Sequence, residues 1–162
     1  MKIFFSIAIF LLSFVMLPEL SKIRKSYPKA AESSEITKEL HETLTSISEG
    51  DNAILVAYKG GVSTLMAKYA KGAKNKKAYF KTGTSLIEKA IVNKPKNIEI
   101  RCIRLSVQEN SPKIMKYKNS IQEDKRFLLD HYNTTSSKEV KIFVKNYVVQ
   151  SALFDSDEKQ LF

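Results

Sequence analysis

The sequence predicts an all-α domain. Apolar residues recur at spacings of three and four over nearly all of the chain after residue 21. Helix-start signals stand ahead of several of those runs, as Asn before an apolar stretch or Ser with Glu three residues on. No Asn-Gly or Asp-Gly hairpin turn occurs anywhere in the 162 residues.

The first element stands apart from that domain. Lys2 precedes fifteen uncharged residues, 3–17, broken only by Ser6 and Ser13 and closed by Pro18-Glu19. This is the layout of a secretory signal peptide, assigned here to residues 1–21. A spanning helix needs about 20 apolar residues, so the run is short for a permanent anchor. An uncleaved N-terminal anchor is the alternative. The expected location is periplasmic or extracellular, with membrane attachment if the segment is retained.

Residues 22–154 form the expected single domain. Ile23, Tyr27, Ala31, Ile36, Leu40, Leu44 and Ile47 make one stripe over 22–48, with Pro28 in a first turn or at a kink. Gly50 closes it and Asn52 caps a second helix over 52–71. Gly60 and Gly61 lie in that helix and cost about 1 kcal/mol each relative to Ala. Close packing of a neighbouring helix explains them; backbone open to a ligand is the competing account. A third helix spans 75–93 and Pro95 stops it. The fourth, 97–109, has apolar residues almost all round and is expected to be the most buried. Pro112 starts a short turn or helix through Tyr117. Capping boxes at Ser120…Glu123 and Ser136…Glu139 open two more helices. Residues 155–162 read as a tail or a short helix. The expectation is a compact bundle of about six helices in antiparallel hairpins.

Ala90, Pro95 and Asn97, with Gly83 and Ile87 before them, resemble the junction between tetratricopeptide (TPR) repeats. That likeness covers residues 75–110 and implies a TPR-like stack. A broader likeness runs over residues 55–130. It is carried by Tyr58-Lys59-Gly60-Gly61, Met66-Ala67-Lys68-Tyr69-Ala70, Asn97-Ile98-Glu99-Ile100-Arg101 and Ser106-Val107-Gln108-Glu109-Asn110. In these it is similar to a family of uncharacterised exported bacterial proteins. The resemblance implies an all-α fold and export, and it implies no catalytic residue.

Little in the chain points to catalysis. A single Cys excludes a disulfide scaffold and a Cys-based zinc cluster. His41 and His131 have no second ligand at metal spacing, and Cys102 sits in the most apolar helix. No nucleophile elbow, phosphate loop or dinucleotide fingerprint is present. No catalytic residue, metal site or cofactor is assigned. Arg101, Arg104 and Gln108 form one polar stripe on that apolar helix. They are either paired inside the protein, with Glu99, Glu109, Glu123 or Asp124, or they line a groove for a carboxylate or phosphate.

The net charge is +10, with 27 Lys and Arg against 17 Asp and Glu. Residues 53–96 hold ten Lys and one acid, Glu88, and so carry nearly all of the surplus. Lys68, Lys71, Lys74, Lys76, Lys77 and Lys81 cluster where the second and third helices meet. A membrane or other anionic surface, nucleic acid, or plain solvation are the readings of that cluster. Export, the scarcity of Arg and the lack of a binding motif disfavour nucleic acid. The function expected is non-catalytic binding of a protein or peptide partner in the cell envelope. The alternative is anionic-surface binding through the Lys-rich face at residues 59–96.

Overall fold

Pro28 marks where the long N-terminal stripe breaks. It has no N–H to return to Arg24, so the helix holding it runs only two residues further. In the computed structural model, which describes residues 18–162, the stretch expected as one helix over 22–48 is therefore two: α1 (Leu20–Ala30) and α2 (Ser34–Thr43). Ser33 caps α2 by accepting from the Ile36 N–H, and Thr37 Oγ1 donates back to the Ala30 carbonyl at 2.7 Å. Residues 1–17 of the expected leader lie outside the described residues. Its last two, Leu20 and Ser21, form the start of α1.

The remaining elements are α3 (Ala53–Tyr69), α4 (Ala73–Asn93), α5 (Ile98–Asn110), a 3₁₀ turn (Lys113–Met115), α6 (Ile121–His131), α7 (Lys138–Gln150) and α8 (Ser156–Lys159). The fold is all-α, and among the described residues there is no strand. Asn52 and Asn97 cap α3 and α5 through their side-chain oxygens.

Two expected capping boxes are rearranged by tertiary pairing. Ser120 makes no side-chain cap; its N–H donates to Gln108 Oε1 at 2.9 Å, and Glu123 is turned toward Arg101 and Arg104. The α7 cap is Ser137, one residue later than Ser136, and Glu139 reaches Arg24 instead of the cap. A complete capping box does form in α8, between Asp155 and Glu158. There residues 155–162 are tied down. Phe154 and Phe162 are buried and pack at 5.8 Å, and Tyr132 donates its hydroxyl to the Phe162 carbonyl.

Successive helices alternate in direction. Along α1 and α3, Tyr27 meets Gly61, and Lys68 and Tyr69 reach the Ala31 carbonyl. These two therefore run the same way, with α2 returning between them. Gly60 meets Gly83, and Ser63 donates to the Tyr79 carbonyl, so α4 runs back along α3. Along α5 and α6, Arg101 reaches Phe127 while Gln108 reaches Ser120, which makes them antiparallel. In α7, Glu139 lies near Arg24 and Tyr147 near Glu109, so it runs with α1 and α5. Tyr58, fully buried, is the aromatic centre, edge-on to Tyr27 at 5.2 Å and Phe143 at 5.8 Å.

The α3–α4 contact explains the internal glycines. A Cβ on Gly60 would stand 2.7 Å from the Gly83 carbonyl oxygen, and one on Gly61 would run into Tyr27. These are close approaches of packed neighbours, with backbone on both sides of the Gly60–Gly83 crossing. Gly83→Ala is expected to destabilise the fold by about 1–3 kcal/mol through overpacking, despite the better helix propensity of Ala. Gly50→Ala, where a Cβ meets nothing within 4 Å, is expected to be near neutral. Urea unfolding midpoints of the two variants test the difference.

Candidate functional site

The polar stripe on α5 closes on itself. Asp124, from α6, has no solvent exposure and accepts from three side chains of α5. Its Oδ1 takes Arg101 Nη1 at 2.9 Å and Arg104 Nη2 at 2.7 Å. Its Oδ2 takes Arg104 Nε at 2.7 Å and Gln108 Nε2 at 3.1 Å. Arg101 also donates to the Pro95 carbonyl and to Glu123, and stacks over the Phe127 ring at 4.9 Å. Arg104 reaches Glu88 of α4, which in turn accepts the Tyr117 hydroxyl. Burial by itself lowers the Arg104 pKa; the hydrogen bonds and charges of Asp124 and Glu88 together more than reverse this and hold the guanidinium above its ordinary value. The Arg101 hydrogen bond holds the Glu123 carboxyl below its ordinary value.

Arg101, Arg104 and Gln108 are thus brought together, as the sequence pattern expected, with their donors turned into the bundle. Arg104 is 4% exposed and Gln108 2%. A ligand carboxylate at this place would have to displace Asp124. Of the two accounts given by the sequence, internal pairing describes this geometry.

A second buried charge lies at the start of the same helix. Glu99, 1% exposed, accepts from Arg24 Nε and Nη2 and from the Tyr58 hydroxyl at 2.7 Å. Burial, with Glu99 adjacent, pushes the Tyr58 phenol far above its usual pKa. Glu99 had figured as a partner for Arg101. Its true partner, Arg24, lies 75 residues away in sequence, among Lys22, Lys25 and Lys29 on α1, where nothing in the local pattern singled it out. Glu109 plays a similar part at the other end of α5, accepting from Tyr147, Ser151 and the Ala152 N–H.

Catalytic chemistry gains no cluster. Among the described residues no three metal-ligating side chains converge. His41 packs edge-on to Tyr79, and His131 stacks on Phe127 at 3.9 Å. Cys102 is 1% exposed, and burial pushes its thiol pKa well up. A shallow cleft of about 400 Å³ between the starts of α5 and α7 is lined by Ser and Thr hydroxyls, by Lys96 and His131, and by the Arg24–Glu99 pair, whose charges already meet each other.

The lysines do the opposite of the arginines. Residues 71–78 are all exposed, so the first turns of α4 project from the bundle. Lys71, Lys74, Lys76, Lys77 and Lys81 lie on this projection, and none of them forms a salt bridge among the described residues. Lys68, at the end of α3, donates to the Ala31 carbonyl and sits 5.5 Å from the Tyr69 ring centroid. The α4 start has no acid in its first turn and no side-chain cap, only Gly72 at φ 78°. Cations there oppose the helix dipole, and Lys74, Lys77 and Lys81 repel one another at spacings of three and four.

No protein-family model, curated protein or solved structure matches the chain. The geometry therefore stands as the basis for any functional reading.

Asp124→Asn is expected to destabilise the fold by about 3–5 kcal/mol, because it removes the buried charge that two guanidinium groups share and leaves them only the more exposed Glu88 and Glu123. Glu123→Gln, on a largely exposed side chain, is expected to fall within about 1 kcal/mol. Chemical unfolding of both variants checks this. Since the folded-state pKa of Glu123 is depressed, its contribution is complete above the ordinary carboxylate range and is lost as pH falls through and below it. Wild-type stability should fall more steeply than that of Glu123→Gln on acidification below about pH 4.

Proposed function

We propose that the chain is an exported, non-catalytic helical domain that binds an anionic membrane surface through the lysine-rich end formed by α3 and α4. The observation that carries this reading is the projecting start of α4. Five lysines stand there without carboxylate partners, at the end of the helix dipole that disfavours them. Local charge conflict of this kind marks functional surfaces more often than stability devices. A layer of anionic headgroups relieves it, at about 1 kcal/mol per lysine near the surface.

The projection also lacks what a shape-specific protein interface uses. Residues 71–78 include no large apolar side chain and no Arg. Phe80 is buried and Tyr79 packs on His41. A diffuse, multivalent anion fits that composition better than a peptide anchored in a pocket. The envelope protein or peptide partner expected at Arg101, Arg104 and Gln108 has less support, since those donors face Asp124. A protein with an acidic face is the competing occupant of the lysine end.

The exported setting belongs to the same proposal and rests on residues 1–21. The TPR-like reading does too, and the alternating helix directions and the glycine-mediated α3–α4 hairpin support it.

Sedimentation of the protein with vesicles tests the reading. Binding is expected with vesicles rich in phosphatidylglycerol and not with neutral phosphatidylcholine vesicles. It should weaken steeply as salt rises, since screening shortens the Debye length from about 8 Å at 0.15 M to about 3 Å at 1 M. Replacing Lys71, Lys74, Lys76 and Lys77 with Gln should lower affinity by on the order of 10²- to 10³-fold. Equal binding to neutral vesicles, or unchanged binding by the Gln variant, overturns the proposal. No vesicle binding, with salt-sensitive binding to an acidic protein, replaces the membrane with that partner.

A further inference from the structure

We infer that the domain docks end-on, with the start of α4 against the anionic surface and the Leu20 end pointing away from it. The inference rests on the surface-binding reading above and adds an orientation to it. Three observations on different elements carry it.

The first is where the positive charge runs out along α4. Its outer face presents Lys74, Lys77 and Lys81, and then Ser85 and Lys89. Lys89 is paired with Glu49, and the neighbouring Glu88 is held by Arg104 and Tyr117. The unpaired lysines of α4 are thus confined to the first nine of its 21 residues. A surface lying along the whole face of α4 would meet lysines at one end and neutralised or acidic groups over the rest.

The second is the make-up of the opposite end. There the starts of α1, α3 and α7 gather Glu19, Asp51 and Glu139, with Glu49 just before α3. Lys22, Lys25, Lys94, Lys96 and Lys138 stand among them, so the charge is mixed. Lys22 is paired with Glu19, and Arg24 bridges Glu99 and Glu139. At the lysine end, the carboxylates Glu32 and Glu35 stand at the turn from α1 into α2, next to the Ala31 carbonyl that holds Lys68. The lysines from Lys71 onward stand farther out.

The third is the direction of α1. It runs with α3, from Arg24 beside Tyr58 to Ala31 beside Lys68 and Tyr69. Leu20 therefore lies at the end of the bundle remote from Lys71–Lys77. From Ala78 to Val92, α4 rises about 21 Å at 1.5 Å per residue, more than two Debye lengths at physiological salt, each about 8 Å.

Site-directed labelling of the full chain tests the stance. Cys102 is buried and its thiol is hard to ionise, so a maleimide fluorophore selects a newly introduced thiol. Ala78→Cys and Val92→Cys place that thiol on exposed positions at the two ends of α4. Each labelled protein is mixed with phosphatidylglycerol vesicles carrying a headgroup-level quencher, and the bound fraction is measured separately by sedimentation. Strong quenching at residue 78 with little at residue 92 is expected. Equal quenching at both means the helix lies flat, and stronger quenching at 92 means the Leu20 end faces the bilayer; either overturns the end-on stance while surface binding stands. Absence of binding in the sedimentation arm overturns the surface-binding reading itself and the stance with it.

Discussion

A carboxylate with no exposure to solvent, Asp124, sits where α5 and α6 meet, and the central packing is arranged around it. Two guanidinium groups and one amide of α5 converge on its two oxygens. Each donor is tied to a further element. Arg101 holds the Pro95 carbonyl ahead of α5, Arg104 holds Glu88 of α4, and Gln108 holds the Ser120 N–H at the start of α6. A buried ion pair is weak support for stability when set against a well-packed apolar substitute. It is strong support for register, because sliding α6 along α5 by one turn takes Asp124 away from all three of its donors. Among the described residues no buried side-chain nitrogen or oxygen lacks a partner, the condition under which such a network fixes one arrangement.

How far the sequence reveals this differs by scale. The helices α3, α4, α5 and α7 are legible because their apolar spacing, their Asn and Ser caps and Pro95 all point the same way. The break at Ala31–Ser33 is less so, since Ile36 and Leu40 continue the spacing of Ile23 and Tyr27 across a turn. The Ser120 cap fails for a tertiary reason: Glu123 has a choice between the helix start and two guanidinium groups, and the charged partners win. Local pattern identifies the groups that need partners. It does not say which of four carboxylates supplies them, and Asp124 and Glu99 serve different arginines.

The lysine end is legible as a composition and not as a shape. Ten lysines against one acid over residues 53–96 signal a surplus, but Lys59 bonds the carbonyls of Thr45 and Ile47, and Lys89 pairs with Glu49. The fold sorts these from the lysines on the projecting turns. It also supplies what keeps the projection helical despite its charges. From Phe80 to Ile91 the same helix is anchored against α3 and α5, and a helix already nucleated extends at little cost.

The two cations divide the work along lines set by their chemistry. Of the four arginines, Arg24, Arg101 and Arg104 are inside or nearly so; Arg24 and Arg104 each meet one carboxylate through two nitrogens, and Arg101 shares Nη1 between two carboxylates while Nε holds a carbonyl. The planar fork and weak hydration of guanidinium suit that place. Only Arg126 is exposed, paired with Asp130 one turn on. The compact, strongly hydrated ammonium of lysine is left outside, where it holds its water and acts over a Debye length instead of through fixed geometry. The Arg stripe on α5 therefore takes its partners from within the bundle and contributes register. The charge available to an outside partner is almost entirely lysine, and it is concentrated where α4 leaves the bundle. An interaction built on such groups gains its strength from their number and their shared direction, so the disposition of the helix that carries them matters more than any one side chain.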